Sequence, residues 1–83
     1  MRTIYKYTIV EGQVKLPVGA VILTVAVQNE LLRVWCEVDP DKTEFVVRTI
    51  VLVGTGHPLP AEGEYITTIF MPHEVWHVYE VIT

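Results

Sequence analysis

The chain has 83 residues, 51% of them hydrophobic, and a formal net charge of −4. This length allows one domain, residues 1–83, and the hydrophobic content excludes a disordered chain. No apolar run approaches the roughly 18 residues of a membrane helix, so we expect no membrane association. Residues 1–6 lack the apolar region of a signal peptide, and the single cysteine fits a reducing compartment, so we expect the cytosol.

Charge is distributed unevenly along the chain. All six Lys and Arg residues lie in residues 1–48. Residues 49–83 contain no Lys, Arg or Asp; their charged or basic side chains are three histidines and four glutamates: Glu62, Glu64, Glu74 and Glu80. This excess of negative charge argues against a nucleic-acid partner. We interpret the four glutamates as a solvated acidic rim.

β-Branched and aromatic residues predict strands at 3–10, 14–16, 20–28, 31–38, 43–53, 65–71 and 74–82. Asn29-Glu30 is expected to form a two-residue hairpin turn, and Asp39 to Lys42 a four-residue turn with Pro40 at its second position. Proline or glycine recurs about every ten residues and no segment has a helical pattern. The sequence predicts an all-β domain of six to seven short antiparallel strands, in a sandwich or a partly open barrel.

Alternation within the predicted strands assigns their faces. In 20–28 one face holds Val21, Leu23, Val25 and Val27, and in 31–38 the inward residues are Leu32, Val34, Cys36 and Val38. In 43–53 one face holds Phe45, Val47, Val51 and Val53, and the other holds Glu44, Val46, Arg48, Ile50 and Leu52. We expect 43–53 to pair with 31–38 in a register that sets Trp35 against Arg48, because the tight register would oppose like charges.

Apolar residues on the other face of these two strands predict a second core layer or an interface. The patch consists of Leu31, Arg33, Trp35, Arg48, Ile50 and Leu52. It is more apolar than a solvated sheet face, and Trp beside Arg is typical of a binding hot spot. Self-association is the commonest use of such a surface, so a homo-oligomer is expected.

A glycine-rich loop after the longest apolar run predicts a ligand-accessible rim. Residues 50–53 lead directly into Gly54-Thr55-Gly56-His57. Such a loop has two common roles: it supplies turn geometry, or its backbone N–H groups contact an anion or a nucleotide. In the second case Arg48 or His57 would add positive charge, and an aromatic residue such as Trp35 or Tyr65 would stack on the nucleotide. Neither the P-loop nor the dinucleotide pattern is complete, because the later Gly and the Gly-Lys-Ser/Thr group are missing.

Residues 73–77 match the zinc-hydrolase pattern H-E-x-x-H. Two histidines four residues apart reach one metal on a helix, but on a strand they lie roughly 13 Å apart. Because the residues from Val75 onward favour a strand, we expect no metal site, no cofactor and no catalytic residue here. Cys36 alternates with valines and is interpreted as a buried apolar residue, and the absence of serine excludes a serine nucleophile.

Several segments resemble a family of short, uncharacterised proteins from phages and prophage-bearing bacteria. The resemblance is carried by residues 4–7, 17–23, 38–40, 48–58 and 77–80, together with Val25, Gln28, Leu32 and Trp35. Its most specific part is Gly-Thr-Gly-His-Pro at 54–58, and His73 and Glu74 are not part of its pattern. The resemblance implies no activity, only a phage-type context in the cytoplasm of a bacterial host.

From these observations we expect a small non-enzymatic binding protein of phage type. Its partner would be a host protein or an anionic, nucleotide-like molecule, with a counter-defence role. The residues expected to contact such a ligand are Arg48, Gly54, Thr55, Gly56, His57 and Tyr65. One alternative is a structural or assembly component of a phage particle that self-associates, and a second is a metal-dependent hydrolase using His73 and His77.

Overall fold

The predicted strand segments form strands in the computed structural model, which describes residues 1–82. Their bounds are β1 (Thr3–Thr8), β2 (Gln13–Pro17), β3 (Val21–Gln28), β4 (Leu31–Val38), β5 (Phe45–Gly54), β6 (Gly63–Phe70) and β7 (Val75–Val81). No helix occurs within these described residues, and so none that could cross a membrane. All strand pairs are antiparallel, which confirms the all-β prediction.

The strands form two sheets that pack as a sandwich. The first sheet has the strand order β1-β4-β3, and the second sheet has the order β2-β5-β7-β6. Only β3–β4 and β6–β7 pair as hairpins of consecutive strands, whereas β1 with β4, β2 with β5, and β5 with β7 pair across long stretches of sequence.

The predicted pairing of 43–53 with 31–38 is wrong. Trp35 lies opposite Lys6 and Thr24 in the first sheet, and Arg48 lies opposite Val14 in the second. Both edges of β4 are already occupied, by β1 and β3, so β5 has no free edge there to pair with. The cation–π contact between Trp35 and Arg48 therefore does not form.

The predicted turns form, but one of them has a different role. Asn29 and Glu30 both have positive φ, 53° and 66°, and join β3 to β4. The Lys42 N–H donates to the Asp39 carbonyl at 3.0 Å, as a four-residue turn requires. This second turn joins no hairpin; it carries the chain from the first sheet to the second.

The core lies between the sheets, on the face of β4 that alternation predicts. Val34, Cys36 and Val38 are fully buried there, and they share a cluster with Leu16 of β2 and Val78 of β7. A sandwich core of this kind is filled by alternate residues from both inner faces.

Two predicted face assignments differ from the structure. A bulge between Ile22 and Thr24 shifts the alternation of β3, so that Val21, opposite Glu37, lies on the outer face, whereas Ile22, opposite Cys36, joins Val25 and Val27 on the inner face. In β5 the face that carries Arg48, Ile50 and Leu52 points inward, since Ile50 is opposite Glu80 and belongs to the core cluster. The Phe45, Val47, Val51 and Val53 face points outward.

Candidate binding cleft

The inner faces of the two sheets separate at one end of the sandwich and leave a cleft. The cleft has a volume of about 320 Å³ and is lined by Val27, Leu32, Leu52, Ile69, Trp76 and residues 71–74. Val27 and Leu52 are inner-face residues, yet they remain 44% and 39% exposed. Their neighbours deeper in the sandwich, Val25 and Ile50, are buried. The cleft is therefore a continuation of the core that nothing in the described chain covers.

The turn between β6 and β7 forms one lip of the cleft. The Met71 N–H donates to the Glu74 carbonyl at 2.8 Å and closes the turn. The Trp76 Nε1–H donates to Glu74 Oε2 at 2.6 Å, a charge-assisted bond that fixes the orientation of the indole. His73 lies on the same turn and also lines the cleft. The cleft is an apolar site with one negative charge at its edge.

The glycine-rich loop lies beside this cleft. A second cavity of about 400 Å³ is bounded by the end of β5, by residues 57–60 and by Trp76, which lines both cavities. The His57 N–H donates to the Gly54 carbonyl at 3.1 Å, and Gly56 has a positive φ of 89°. The His57 N–H is thus engaged in the turn, and Gly56 supplies the backbone conformation that the turn needs.

Arg48 is not at this loop. It lies six residues before Gly54 on the same strand, about 20 Å away at 3.3 Å per residue. Its guanidinium forms a bidentate pair with Glu80 and donates from Nη1 to the Ala20 carbonyl at 3.0 Å. The hydrogen bond to Glu80 raises the pKa of Arg48. The expected grouping of Arg48 with Gly54, Thr55, Gly56 and His57 is therefore not assembled.

Glu80 is also not part of a solvated rim, because it is buried against Arg48. Glu62, Glu64 and Glu74 are exposed, as the rim interpretation requires. The Arg48–Glu80 pair could not be predicted from the sequence, since its members are 32 residues apart.

A series of hydrogen bonds through His77 and Thr68 connects Thr55 with Tyr65. On the outer face of the second sheet, Thr55 Oγ1 lies 2.9 Å from His77 Nε2, and His77 Nδ1 lies 3.1 Å from Thr68 Oγ1. Thr68 Oγ1 in turn lies 2.6 Å from the Tyr65 hydroxyl. This series of hydrogen bonds could not be predicted from the sequence, because it depends on the pairing of β6 with β7.

The residues expected to form an interface are divided between two surfaces. Arg33 and Trp35 lie on the outer face of the first sheet, as does Leu31 at the start of β4. Ile50 and Leu52 lie on the inner face of the second sheet, where Ile50 is buried in the core and Leu52 lines the cleft. These five residues do not form one continuous surface.

The H-E-x-x-H match falls on a turn and a strand. His73 faces the cleft, whereas both ring nitrogens of His77 are bonded to threonine hydroxyls on the outer face. Among residues 1–82 no group of three or more His, Cys, Asp or Glu side chains is placed to hold a metal ion. Cys36 is fully buried, and burial raises the pKa of its thiol to about 11, so it is not an activated nucleophile.

A family model described as a domain of unknown function (DUF7352) matches residues 1–83. The chain belongs to this family. No curated protein and no solved structure matches the chain. Membership in the DUF7352 family agrees with the expectation of a short uncharacterised family that covers nearly the whole chain.

Proposed function

We propose that this DUF7352 protein is a non-enzymatic binding protein that takes an apolar side chain of a partner protein into the cleft between its sheets. The observation that carries the proposal is the exposure of inner-face residues at that end, where Val27, Leu52 and Trp76 surround about 320 Å³ of space. Binding sites of this size are typically apolar with a few fixed polar groups. Here the fixed polar group is the Glu74 carboxylate, held by Trp76.

The charge of the chain favours a basic segment as the partner. Residues 49–83 contain no Lys or Arg, and Glu74 lies at the lip of the cleft. A leucine or similar side chain flanked by lysines would bury its apolar part in the cleft and place its charges beside this acidic edge. Complementary charge of this kind contributes to specificity and to the rate of association.

A nucleotide-like ligand has less support in the geometry. Arg48 is paired with Glu80 and lies far from the Gly54–His57 loop, so the described chain does not present the cation and the loop together. The phage-type setting and the host partner rest on the sequence resemblance, above all on residues 54–58. A role against host defences would follow if the partner were a defence protein.

Trp76 supplies a reporter for this proposal. In a Trp35→Phe chain it is the single tryptophan, so its fluorescence can be followed while N-acetyl-Lys-Leu-Lys-amide is added. Burying one leucine side chain contributes about 1.5–3 kcal/mol, so we expect saturable binding no tighter than about millimolar, and weaker binding of the Glu-Leu-Glu counterpart.

Two controls define the site. A Trp76→Phe chain, which retains Trp35 on the outer face of the first sheet, should show no response to the same peptide. Val27→Phe in the Trp35→Phe background should fill the cleft and abolish the Trp76 response without lowering the unfolding temperature. Equal responses from Trp35 and Trp76, or no saturation by either peptide, would contradict the proposal.

A further inference from the structure

Strand β6 is an edge of the second sheet, and its second half borders the cleft. In the strand order β2-β5-β7-β6, β6 pairs with β7 on one side only. Residues 67–70 are opposite residues 75–78 of β7, and Ile69 among them lines the cleft. An edge strand presents backbone N–H and C=O groups with which another strand can pair.

The backbone groups of Thr68 and Phe70 point away from β7. The Met71 N–H donates to the Glu74 carbonyl at 2.8 Å, so this pair is a hydrogen-bonded position of the ladder. In an antiparallel ladder, hydrogen-bonded pairs alternate with pairs that exchange no bond. Phe70 and Thr68, one and three positions before Met71, therefore turn their N–H and C=O groups to the free side of β6. No turn or loop in residues 1–82 bonds to these groups.

The other three edge strands carry features that discourage strand addition. Lys6 lies in β1, Lys15 and Pro17 lie in β2, and β3 has its bulge at residues 22–24. Charged residues, prolines and bulges are common protections of sheet edges. β6 also has a bulge, but it precedes the stretch 67–70, Thr-Thr-Ile-Phe, which contains no charge and no proline. The least protected edge of the sandwich is thus the one beside the cleft.

We propose that the basic segment bound by this protein is extended and adds to β6 as a fifth strand of the four-stranded second sheet. This inference rests on the proposed function and specifies the conformation of its partner. In an antiparallel segment whose first and third residues pair with Phe70 and Thr68, the middle residue lies opposite Ile69. Its side chain projects to the inner side of the sheet, where Ile69 lines the cleft. The main chain then supplies hydrogen bonds and the middle side chain supplies the apolar anchor.

Charge favours a basic segment over a second copy of the chain at this edge. Exposed carboxylates lie in or next to β6 at both of its ends: Glu62, Glu64 and Glu74. Two copies paired β6 to β6 would bring these like charges together, whereas lysines in a basic segment are attracted by them. The edge of β3 also borders the cleft, but β3 belongs to the sheet that carries Lys6 and Arg33. A basic strand is therefore better placed on β6.

Backbone methylation of the peptide tests this pairing without changing the protein. In N-acetyl-Lys-Leu-Lys-amide, the N–H groups of both lysines would face β6 and the N–H of the leucine would face away. N-methylation of either lysine should weaken binding to the Trp35→Phe chain by about fivefold or more, the factor expected for one lost hydrogen bond. N-methylation of the leucine is the matched control and should leave the dissociation constant nearly unchanged.

The outcomes separate this inference from the proposed function. If the unmodified peptide gives no saturable Trp76 response, both are wrong. If the unmodified peptide binds but all three methylated peptides bind equally, the cleft is occupied and the segment is not added as a strand. The same conclusion follows if the leucine-methylated peptide is the weakest of the three.

A change in the protein provides a second test. Phe70→Pro in the Trp35→Phe background removes one outward N–H but keeps the N–H groups of Ile69 and Met71, which face β7. Phe70→Ala removes the same aromatic ring and keeps the outward N–H. The Phe70→Pro chain should bind the peptide about fivefold or more weakly than the Phe70→Ala chain. Circular dichroism shows whether both are folded, and equal binding by the two folded chains would overturn the inference.

Discussion

At the scale of single residues, the burial of Cys36 follows from its position between two inward-facing valines of β4. Arg48 and Glu80 lie on the inner faces of β5 and β7, and the pairing of these strands brings them together.

The Arg48–Glu80 pair should contribute more to stability than the exposed Arg2–Glu37 pair. Glu80→Gln leaves a mostly buried guanidinium without its counter-charge, and we expect a loss of about 2–4 kcal/mol in the free energy of unfolding. The matched Glu37→Gln change should cost less than about 1 kcal/mol, because both members of that pair are 44% exposed. Urea unfolding measures both, and equal losses would contradict the prediction.

At the scale of the strands, the sequence predicted every strand to within two residues at each end, but it did not predict which strands are neighbours. β5 has apolar residues on both faces, so its pattern could not indicate which face meets the core. Such a pattern is typical of a strand that is covered on both sides. In the structure Ile50 is buried in the core on the inner face of β5, and Val53 is buried on the opposite, outer face. β5 therefore has buried apolar residues on both faces.

The β3–β4 turn offers a test of backbone strain. Asn29 and Glu30 both have positive φ, and the Glu11-Gly12 turn, which has the same signs of φ, uses glycine at its second position. Glu30→Gly should therefore raise the free energy of unfolding by about 1 kcal/mol, since glycine adopts positive φ at little cost. Glu30→Ala removes the same charge but keeps a Cβ, and it should give no gain in thermal or urea unfolding.

At the scale of the whole molecule, the class of fold was predictable and the strand order was not. Regular short strands without a helical pattern are sufficient to predict a sandwich or barrel. Their order depends on pairings such as β1 with β4 and β2 with β5, which connect residues about 30 positions apart. The candidate cleft shares this dependence, because its walls come from β3, β4, β5, β6 and β7.

These long-range pairings should make the chain fold slowly for its size. Proteins dominated by non-local strand pairs fold in milliseconds to seconds, whereas helical bundles of similar length fold in microseconds to milliseconds. Stopped-flow tryptophan fluorescence at several chain concentrations would measure this rate, and a rate independent of concentration would show that no association step contributes. Refolding that is already complete within the dead time of the instrument would contradict the prediction.

The connections between the sheets have a mechanical consequence. The 17–21 and 38–45 crossings lie at the end opposite the cleft, where the Val18 N–H donates to the Glu44 carbonyl at 2.9 Å and Arg48 reaches the Ala20 carbonyl. The third connection, residues 9–12, lies toward the cleft end, where the Ile9 N–H donates to the Leu32 carbonyl at 2.9 Å and the Ile50 N–H donates to the Gly12 carbonyl at 2.8 Å. The two layers are therefore tied at the far end and along the edge formed by β1 and β2, so any widening of the cleft should be greatest on the side where β3 faces β6.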